Sequence, residues 1–300
     1  TIVVLPPSFP FGGMENPLLT FASPTIIVGD KSQVYVATHE IAHSWTGNDV
    51  TCRDWENFWI NEGFTVFSER KVSGKIHGKD FAQVEALLGN STLWQDMNTY
   101  GLDNSYSSLH PILEGDSPDN AFSNVPYEKG FQLLYYMESL VGEELFQQFL
   151  RTYILKYSQQ SITTIELRQT WEQFVHDHFE GIKINEILAS VDWESWLYKP
   201  ELAPEPLNFE TSLSKEAVSL ANEYIELGGK SSPADKDQYF KFDSNLKTIF
   251  HTTLLENQAQ VTLDILSRVD ADFSVSADPN PEVKQRWLPL GLSKKYDPAY

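Results

Sequence analysis

Cysteine and long apolar runs are both scarce in this sequence of 300 residues. Cys52 is the only cysteine, which excludes an internal disulfide and is compatible with a reducing compartment. No run approaches the roughly 18 uncharged apolar residues that a membrane-spanning helix requires. The opening stretch TIVVLPPSFPFGG has no initiator methionine and no signal-peptide pattern, and it resembles the inside of a folded domain. We therefore expect a cytoplasmic protein whose own N-terminus lies upstream of Thr1.

Basic residues are scarce as well, with 22 lysines and arginines against 42 acidic residues and a formal net charge of −20. This charge argues against nucleic acids and anionic membranes as partners, and it favours positively charged substrates. The hydrophobic content of 41% is that of an ordinary globular protein. Because 300 residues exceed the size at which one hydrophobic core usually stops growing, we expect two domains.

A proline-rich stretch divides the sequence. KPELAPEP, residues 199–206, has three prolines in eight positions and predicts a stiff, extended linker. We expect a first domain over residues 1–198, and a helical domain over residues 207–300 that is built from stacked hairpins. The final KKYDPAY contains no clean helix stop, so we expect the second domain to be incomplete at Tyr300.

Periodicity predicts a mainly helical chain after a strand at Thr1–Leu5. Thr163 with Glu166 forms a capping-box pattern, and Ser214 is expected to cap the first helix of the second domain. Three helices are expected earlier in the chain: one capped by Ser32 and ending at Gly47, one from about Ile60 to Val72, and one from Ala82 to Leu93.

The stretch HEIAH places two histidines four residues apart on the first of these helices. Residues at this spacing share one helix face, with Cβ atoms about 5–6 Å apart, so His39 and His43 can bind one zinc ion. Glu40 lies about 100° round the helix from His39 and therefore flanks the metal, where a general base for a zinc-bound water must stand. The alternative is two structural histidines whose hydrogen bonds are satisfied within the fold.

A third ligand is available in WINEGFTVFSER, where Glu62 follows His43 after eighteen intervening residues. That length allows the first helix to end and a second helix to return, with the Glu62 carboxylate in its first turn. Two histidines and one carboxylate leave the fourth zinc position open, as in catalytic rather than structural sites. The sequence therefore predicts one catalytic Zn²⁺ per chain.

Four motifs resemble, in their order, those of the gluzincin zinc aminopeptidases, the family of aminopeptidase N and leukotriene A4 hydrolase. The leukotriene A4 hydrolase branch is the most similar. The motifs are GGMENP at 12–17, HEIAHSWTGN at 39–48, FWINEGFTVFSER at 58–70 and VPYEKGFQLLYYME at 125–138. The resemblance covers most of the chain and implies an α+β, mainly helical fold. It implies a thermolysin-like zinc peptidase catalytic domain in residues 1–198, without its N-terminal part, and a superhelical α-helical domain after it.

The resemblance also assigns the GGMEN stretch to substrate binding. It implies that Gly12, Gly13, Met14 and Glu15 form an edge strand along which a peptide lies. The two glycines would let the peptide backbone approach closely, and Glu15 would hold the cationic α-amine of the peptide. A carboxylate in this place makes a zinc peptidase an aminopeptidase. The alternative is an ordinary glycine turn.

By the same resemblance, Tyr127 is the tyrosine whose hydroxyl stabilises the negative oxygen that forms beside the zinc. The alternative is a buried aromatic residue with a satisfied hydroxyl. Glu69 lies seven residues after Glu62, on the same helix face. It either accepts a hydrogen bond from a zinc-binding histidine or takes part in an exposed ion pair.

Asp119 matches the aspartate that positions a water in the epoxide hydrolase reaction of leukotriene A4 hydrolase, which makes it a candidate substrate-binding residue. Phe122 stands where the vertebrate enzymes carry tyrosine, a departure from their pocket. The alternative for Asp119 is a helix cap or a loop position. The tryptophans are expected in the core, and five histidines are expected at exposed or capping positions: His77, His110, His176, His178 and His251.

The expected function is that of a zinc-dependent aminopeptidase acting on peptides with a free N-terminal amine. The zinc-bound water loses a proton to Glu40 and attacks the first peptide carbonyl, which zinc and Tyr127 polarise. Glu40 then returns the proton to the leaving amine. Three alternatives remain open: a zinc endopeptidase, a bifunctional aminopeptidase and epoxide hydrolase, and a non-catalytic interaction domain derived from the enzyme.

Overall fold

The computed structural model describes residues 1–205 and 207–300, so the last position of the predicted linker, residue 206, lies outside the described residues. The described strands are β1 (Ile2–Val4), β2 (Gly13–Met14), β3 (Thr20–Ala22), β4 (Val50–Cys52) and β5 (Gln160–Ile162). The described helices are α1 (Val34–Ala42), α2 (Trp59–His77), α3 (Lys79–Tyr100), α4 (Val125–Val141), α5 (Glu143–Tyr157), α6 (Thr164–His178), α7 (Ile182–Ser190), α8 (Trp193–Leu197), α9 (Ser212–Leu227), α10 (Ser244–Glu256), α11 (Leu263–Phe273) and α12 (Pro281–Ser293). In this part of the chain no helix is long and apolar enough to cross a bilayer. The predicted α+β, mainly helical architecture is confirmed.

A small mixed sheet forms at the start of the chain. β3 lies in its middle and pairs in parallel with β1 and antiparallel with β2. The strand predicted at Thr1–Leu5 is confirmed by β1, whose β-branched residues suit an extended backbone. β2 carries the glycine motif and is an outer strand of this sheet, beside α1. β4 and β5 form a separate parallel pair.

Helices α2 and α4 cross within the first of two large hydrophobic clusters. A Cβ built on Gly63 of α2 would lie 2.8 Å from the Cα of Gly130 on α4. The two glycines therefore allow direct backbone contact between the helices. Aromatic side chains fill the same cluster, and each contributes about 1.5–3 kcal/mol through burial. They include Trp59, Phe64, Phe67, Phe146, Phe149 and Trp171.

Helices α9 to α12 build the second large hydrophobic cluster, around Tyr224, Phe250 and Trp287. Helix α3 contributes to both clusters, because Val84 packs in the second and Ala86 in the first. The domain boundary at 199–206 stays a prediction.

Helix α1 begins and ends differently from the prediction. Its N-cap is Gln33 and not Ser32, whose hydroxyl faces the Asn280 side chain instead. The helix ends at Ala42 and does not reach Gly47, since the Gly47 N–H bonds to a carbonyl outside the helix. Ser32 as a cap was therefore a wrong prediction, because a distant partner competes for its hydroxyl.

Helices α2 and α3 are both longer than predicted. α2 continues through Gly74 to His77, and α3 begins directly afterwards at Lys79. The end signals are Gly78 and Gly101, which follow α2 and α3 with φ of 102° and 99°. Glycine adopts such positive φ values readily, whereas a glycine inside a helix only weakens it.

Of the other two capping predictions, one is confirmed. Thr163 and Glu166 form the predicted capping box at the start of α6. The prediction for Ser214 is wrong, because Thr211 is the N-cap of α9. Ser214 lies three residues later, where its hydroxyl accepts a hydrogen bond from the Thr211 N–H and takes the place of the usual glutamate.

Several aromatic and histidine positions also differ from expectation. His251 is predicted at an exposed or capping position, but it is buried in the second cluster with Nε2 2.9 Å from the Tyr239 hydroxyl. Burial lowers the pKa of His251 to about 3, so it is neutral. Three tryptophans predicted in the core are instead substantially exposed, namely Trp45, Trp55 and Trp94.

Candidate metal centre

Helix α1 places two imidazole rings side by side. His39 lies in its last turn and His43 is its C-cap, and their Nε2 nitrogens are 3.1 Å apart. The side chain of His43 is 2% exposed and that of His39 is 13% exposed. The predicted spacing on one helix face therefore brings two metal-binding atoms together.

Glu62 joins the two histidines from the first turn of α2. Its Oε2 lies 3.3 Å from Nε2 of both His39 and His43. The start of α2 is held against β4, because the Asn61 side-chain oxygen accepts a hydrogen bond of 2.8 Å from the Cys52 N–H. The ligand atoms of the histidines and Glu62 all lie within 4.8 Å of one another.

The other ring nitrogens of these histidines have acceptors, which fixes where the protons are. Nδ1 of His39 donates to Glu69 Oε2 at 2.9 Å, and Nδ1 of His43 donates to the Thr46 carbonyl at 2.8 Å. Both Nε2 atoms are then lone-pair donors when the rings are neutral. Two such nitrogens and a buried carboxylate oxygen face one another, an arrangement that suits a zinc ion.

The electrostatics of this cluster favour a cation. Burial opposes a charge on His39, yet hydrogen bonds and charges from Glu62 and Glu69 raise its pKa to about 10. Burial likewise opposes ionisation of Glu62, but its hydrogen bonds to His39 and His43 lower its pKa to about 2. A buried anion that remains ionised needs a positive partner. The donor set and the charge of the site therefore both fit zinc.

Glu40 lies beside this cluster in a tight steric environment. It is buried, burial raises its pKa to about 7, and its Oε2 has no hydrogen-bond partner among the described residues. A Cβ added to Gly13 would overlap the Glu40 side chain. The absence of a side chain on Gly13 therefore makes room for Glu40, whereas a Cβ added to Gly12 would make only an ordinary contact with Val36.

Glu15 approaches the same centre from the end of β2. Carboxylate oxygens of Glu15 and Glu40 and a ring nitrogen of His43 all lie within 4.8 Å of one another. The Glu15 backbone is fixed by Asn48, whose side-chain amide donates a 2.7 Å hydrogen bond to the Glu15 carbonyl. Glu15 is half-buried, so its carboxylate combines proximity to the cluster with access from solvent.

Tyr127 lies at the start of α4 and faces the cluster from the opposite helix. Its ring stacks on His39 with centroids 6.0 Å apart and an interplanar angle of 23°. Burial, followed by the charges of Glu62 and Glu15, raises the pKa of Tyr127 well above its ordinary value. Its hydroxyl therefore stays protonated at neutral pH and can donate a hydrogen bond.

Asp119 and Phe122 belong to a short turn that precedes α4. Asp119 is exposed in the short turn Pro118–Ala121, where its carboxylate accepts a 3.4 Å hydrogen bond from the Ser117 hydroxyl. Phe122 ends that turn and packs edge-on against Tyr127, with centroids 6.4 Å apart. Met14, a predicted substrate-binding residue on β2, is 40% exposed and can be reached from solvent.

Two threonines that the sequence did not single out support His43. The Thr65 hydroxyl lies 3.1 Å from Nδ1 of His43 and donates to the Thr46 carbonyl at 2.8 Å. The Thr46 and Thr65 hydroxyls are 2.7 Å apart. No spacing rule joins these residues, because they come from a loop and from α2. The only available signal was that Thr46 lies close to the HEIAH motif.

Comparison with known proteins identifies the family. The peptidase family M1 domain matches residues 1–196. The chain belongs to peptidase family M1. A leukotriene A-4 hydrolase of Xenopus laevis is 40% identical over 295 residues, covering 96% of this chain and 47% of the relative. Leucine aminopeptidase 2 of Sclerotinia sclerotiorum is 39% identical over 304 residues, covering 100% of this chain and 48% of the relative.

The fold agrees with the same branch of the M1 family. The structure of yeast LTA4 hydrolase in complex with bestatin matches with a TM-score of 0.87 at 34% identity. The match covers 99% of this chain and 50% of the yeast chain. The predicted resemblance and fold class are therefore confirmed. The chain spans about half the length of the curated relatives it matches.

Proposed function

We propose that this M1 chain carries the catalytic centre of a zinc-dependent aminopeptidase, which removes N-terminal residues from peptides with a free amine. The observation that carries the proposal is the position of Glu15. Its carboxylate approaches His43 and the base candidate Glu40 to within 4.8 Å, from a strand at the edge of the sheet. An anion in that place can hold the cationic α-amine of a peptide beside the centre.

His39, His43 and Glu62 are the residues that would hold one zinc ion. The lone pairs of the two Nε2 atoms and the ionised Glu62 carboxylate support this assignment, together with the hydrogen bonds that fix both rings. When bound, zinc would supply Lewis acidity toward a substrate carbonyl and lower the pKa of water at the site.

Glu40 is the proposed general base. Its carboxylate has a free buried oxygen and lies between the ligand set and the β2 strand. It would accept a proton from the attacking water and then donate that proton to the leaving amine. A buried carboxylate can do both, because burial weakens its preference for the ionised form.

Tyr127 is the proposed hydrogen-bond donor to the substrate carbonyl oxygen. Its ring is held by stacking on His39, and its hydroxyl stays protonated. A donor that is already oriented stabilises the negative charge that develops on that oxygen in the transition state. Gly12, Gly13 and Met14 would align the peptide backbone along β2, and Glu15 would set its N-terminal end.

The test is hydrolysis of small aminoacyl arylamides, free and N-acetylated, by the zinc-loaded chain and by the chain with a chelator. We expect cleavage of the free amines only, and loss of that cleavage with the chelator. Cleavage of the acetylated substrates at a similar rate would instead indicate a zinc endopeptidase. Absence of cleavage by a zinc-loaded chain that is extended at both ends would indicate the non-catalytic interaction domain.

The epoxide hydrolase alternative has less structural support. Asp119, on which it depends, is exposed in a turn and contacts Ser117 rather than the metal cluster. Glu15, in contrast, lies in direct reach of the cluster. The aminopeptidase is therefore the function that the geometry supports best.

A further inference from the structure

We propose that the buried ion pair between Arg70 and Glu128 positions Tyr127 against the metal centre. The inference rests on the proposed function, since it concerns the placement of the proposed hydrogen-bond donor. Arg70 and Glu128 are positioning residues in this account, because neither is placed against the substrate.

The ion pair joins the two helices that carry separate parts of the centre. Arg70 of α2 donates two hydrogen bonds of 2.8 Å to the two oxygens of Glu128 on α4. Such a two-point contact between a guanidinium and a carboxylate fixes direction as well as distance. The Arg70 guanidinium also lies over the Phe131 ring, 4.2 Å from its centroid.

The Arg70–Glu128 pair is buried, and the neighbouring helix α3 leaves space for it. The Arg70 and Glu128 side chains are only 7% and 12% exposed. A Cβ added to Gly89 of α3 would overlap both of them, so α3 leaves room for the pair at this point. The pair therefore lies where α2, α3 and α4 meet. Water has little access there to solvate the charge that remains if either partner is removed.

The position of the pair along the chain links it to the centre. Arg70 directly follows Glu69, which accepts the hydrogen bond from His39, and Glu128 directly follows Tyr127. The ligand candidates and Glu69 lie on α1, at its C-cap and on α2, whereas Tyr127 comes from α4. The position of the Tyr127 hydroxyl relative to the ligand candidates therefore depends on how α2 and α4 are joined.

A second ion pair between the same helices provides a matched control. Lys71 Nζ lies 2.6 Å from Glu138 Oε1 and 3.3 Å from Glu143 Oε1. The Lys71 side chain is 38% exposed, whereas that of Glu138 is 11% exposed. Unlike Arg70 and Glu128, Lys71 and Glu138 are not directly adjacent in sequence to Glu69 and Tyr127. Solvent screens the Lys71 charge, so this pair holds its helices less firmly than a pair in which both partners are buried.

The experiment compares Arg70→Lys with Lys71→Met in the zinc-loaded chain. Arg70→Lys keeps the charge and removes the two-point contact, and Glu128→Gln provides a second variant if the first fails to fold. We expect Arg70→Lys to lower kcat roughly tenfold or more, because small misplacements of catalytic groups are costly. The KM and zinc affinity should stay within about twofold, since the Arg70 guanidinium hydrogen-bonds to Glu128 and to the Glu85 carbonyl and not to a ligand candidate or to Glu15.

Two further measurements separate positioning from loss of structure. If Arg70 acts through Tyr127, the Arg70→Lys change should cost little extra kcat in a Tyr127→Phe background. In addition, 3-fluorotyrosine placed at position 127 reports its surroundings by ¹⁹F NMR without any turnover. Its resonance should shift in Arg70→Lys or Glu128→Gln and remain in place in Lys71→Met.

The inference is overturned by independent, multiplicative effects of the Arg70 and Tyr127 changes, by an unchanged fluorine resonance, or by an equal effect of Lys71→Met. A wild-type chain that binds zinc but cleaves nothing would refute the proposed aminopeptidase. The fluorine measurement would still decide whether Arg70 positions Tyr127 in that case.

Discussion

Nδ1 of His39 lies 2.9 Å from Oε2 of Glu69, thirty positions further along the chain. This contact joins α1 to α2 and turns the Nε2 lone pair of His39 toward Glu62. The sequence left Glu69 with two alternatives, a partner of a histidine or an exposed ion pair. The structure places it against His39, with a side chain that is 8% exposed.

Removing the charge of Glu69 should weaken zinc binding. We expect Glu69→Gln to raise the zinc dissociation constant about 10- to 100-fold, because a neutral acceptor orients and polarises the imidazole less strongly. Competition with a chromophoric chelator measures this constant directly. Glu85→Gln is the control, since its carboxylate faces Ser73 and should leave the affinity unchanged. Equal affinities for wild type and Glu69→Gln would contradict the role of this contact.

Removing the hydroxyl of Tyr127 should impair turnover without affecting the metal. Tyr127→Phe keeps the ring that stacks on His39 but deletes the hydrogen-bond donor. We expect kcat to fall about 10²- to 10³-fold, the usual effect of losing one donor to a developing negative charge. Zinc content, measured by elemental analysis, should stay the same. A variant with nearly wild-type kcat would exclude Tyr127 as that donor.

A methyl group on Gly13 should disturb the general base. Because the added Cβ would overlap the Glu40 carboxylate, Gly13→Ala is expected to lower kcat at least roughly tenfold through displacement of that group. Gly12→Ala is the matched control for kcat, since its Cβ would be 3.7 Å from Val36 Cγ1, an ordinary contact, and an effect on peptide approach would appear in KM. Steady-state kinetics of both variants are sufficient. The two alanine variants should not behave alike; if they do, Gly13 does not act through Glu40.

The buried carboxyl of Glu85 predicts a pH-dependent stability. Burial, together with the charge of Glu69, raises the pKa of Glu85 to about 8 from an ordinary 4.5. Between pH 4.5 and pH 8, the Glu85 carboxyl is therefore protonated in the folded state and ionised in the unfolded state. Stability from this group is therefore complete below pH 4.5 and is lost as the pH rises through 8.

Comparison with Glu85→Gln isolates this effect from other titrating groups. The wild-type free energy of unfolding, minus that of the variant, should decrease by roughly 1 kcal/mol per pH unit between about pH 5 and 8. Urea denaturation at a series of pH values, with a chelator present, provides the measurement. A difference that stays constant with pH would show that Glu85 titrates normally.

Local patterns in the sequence point to the ligand candidates that the structure brings close together. The spacing of His39 and His43 and the place of Glu62 in the next helix both correspond to the observed convergence. The capping box at Thr163 is equally local and was also predicted correctly. These features depend on residues a few positions apart or on one helix turning back on another.

Long-range contacts could not be predicted in this way. Ser32 is of a residue type that commonly caps helices, but its hydroxyl faces Asn280, 248 positions away. Gly13 is predicted to let a peptide backbone approach closely. In the structure, its missing side chain also leaves the space that the Glu40 carboxylate occupies. The ion pair of Arg70 with Glu128 has no periodic signature at all, since it depends on how two helices cross.

The most direct test of the central claim is the effect of Glu15→Gln on discrimination between free and N-acetylated aminoacyl arylamides. If Glu15 holds the α-amine, zinc-loaded wild type should cleave the free substrates with much higher kcat/KM. In Glu15→Gln, cleavage of the free substrates should be lost and zinc content should remain unchanged. Retention of the wild-type preference in Glu15→Gln would contradict the assignment of Glu15, and with it the proposed basis of aminopeptidase specificity.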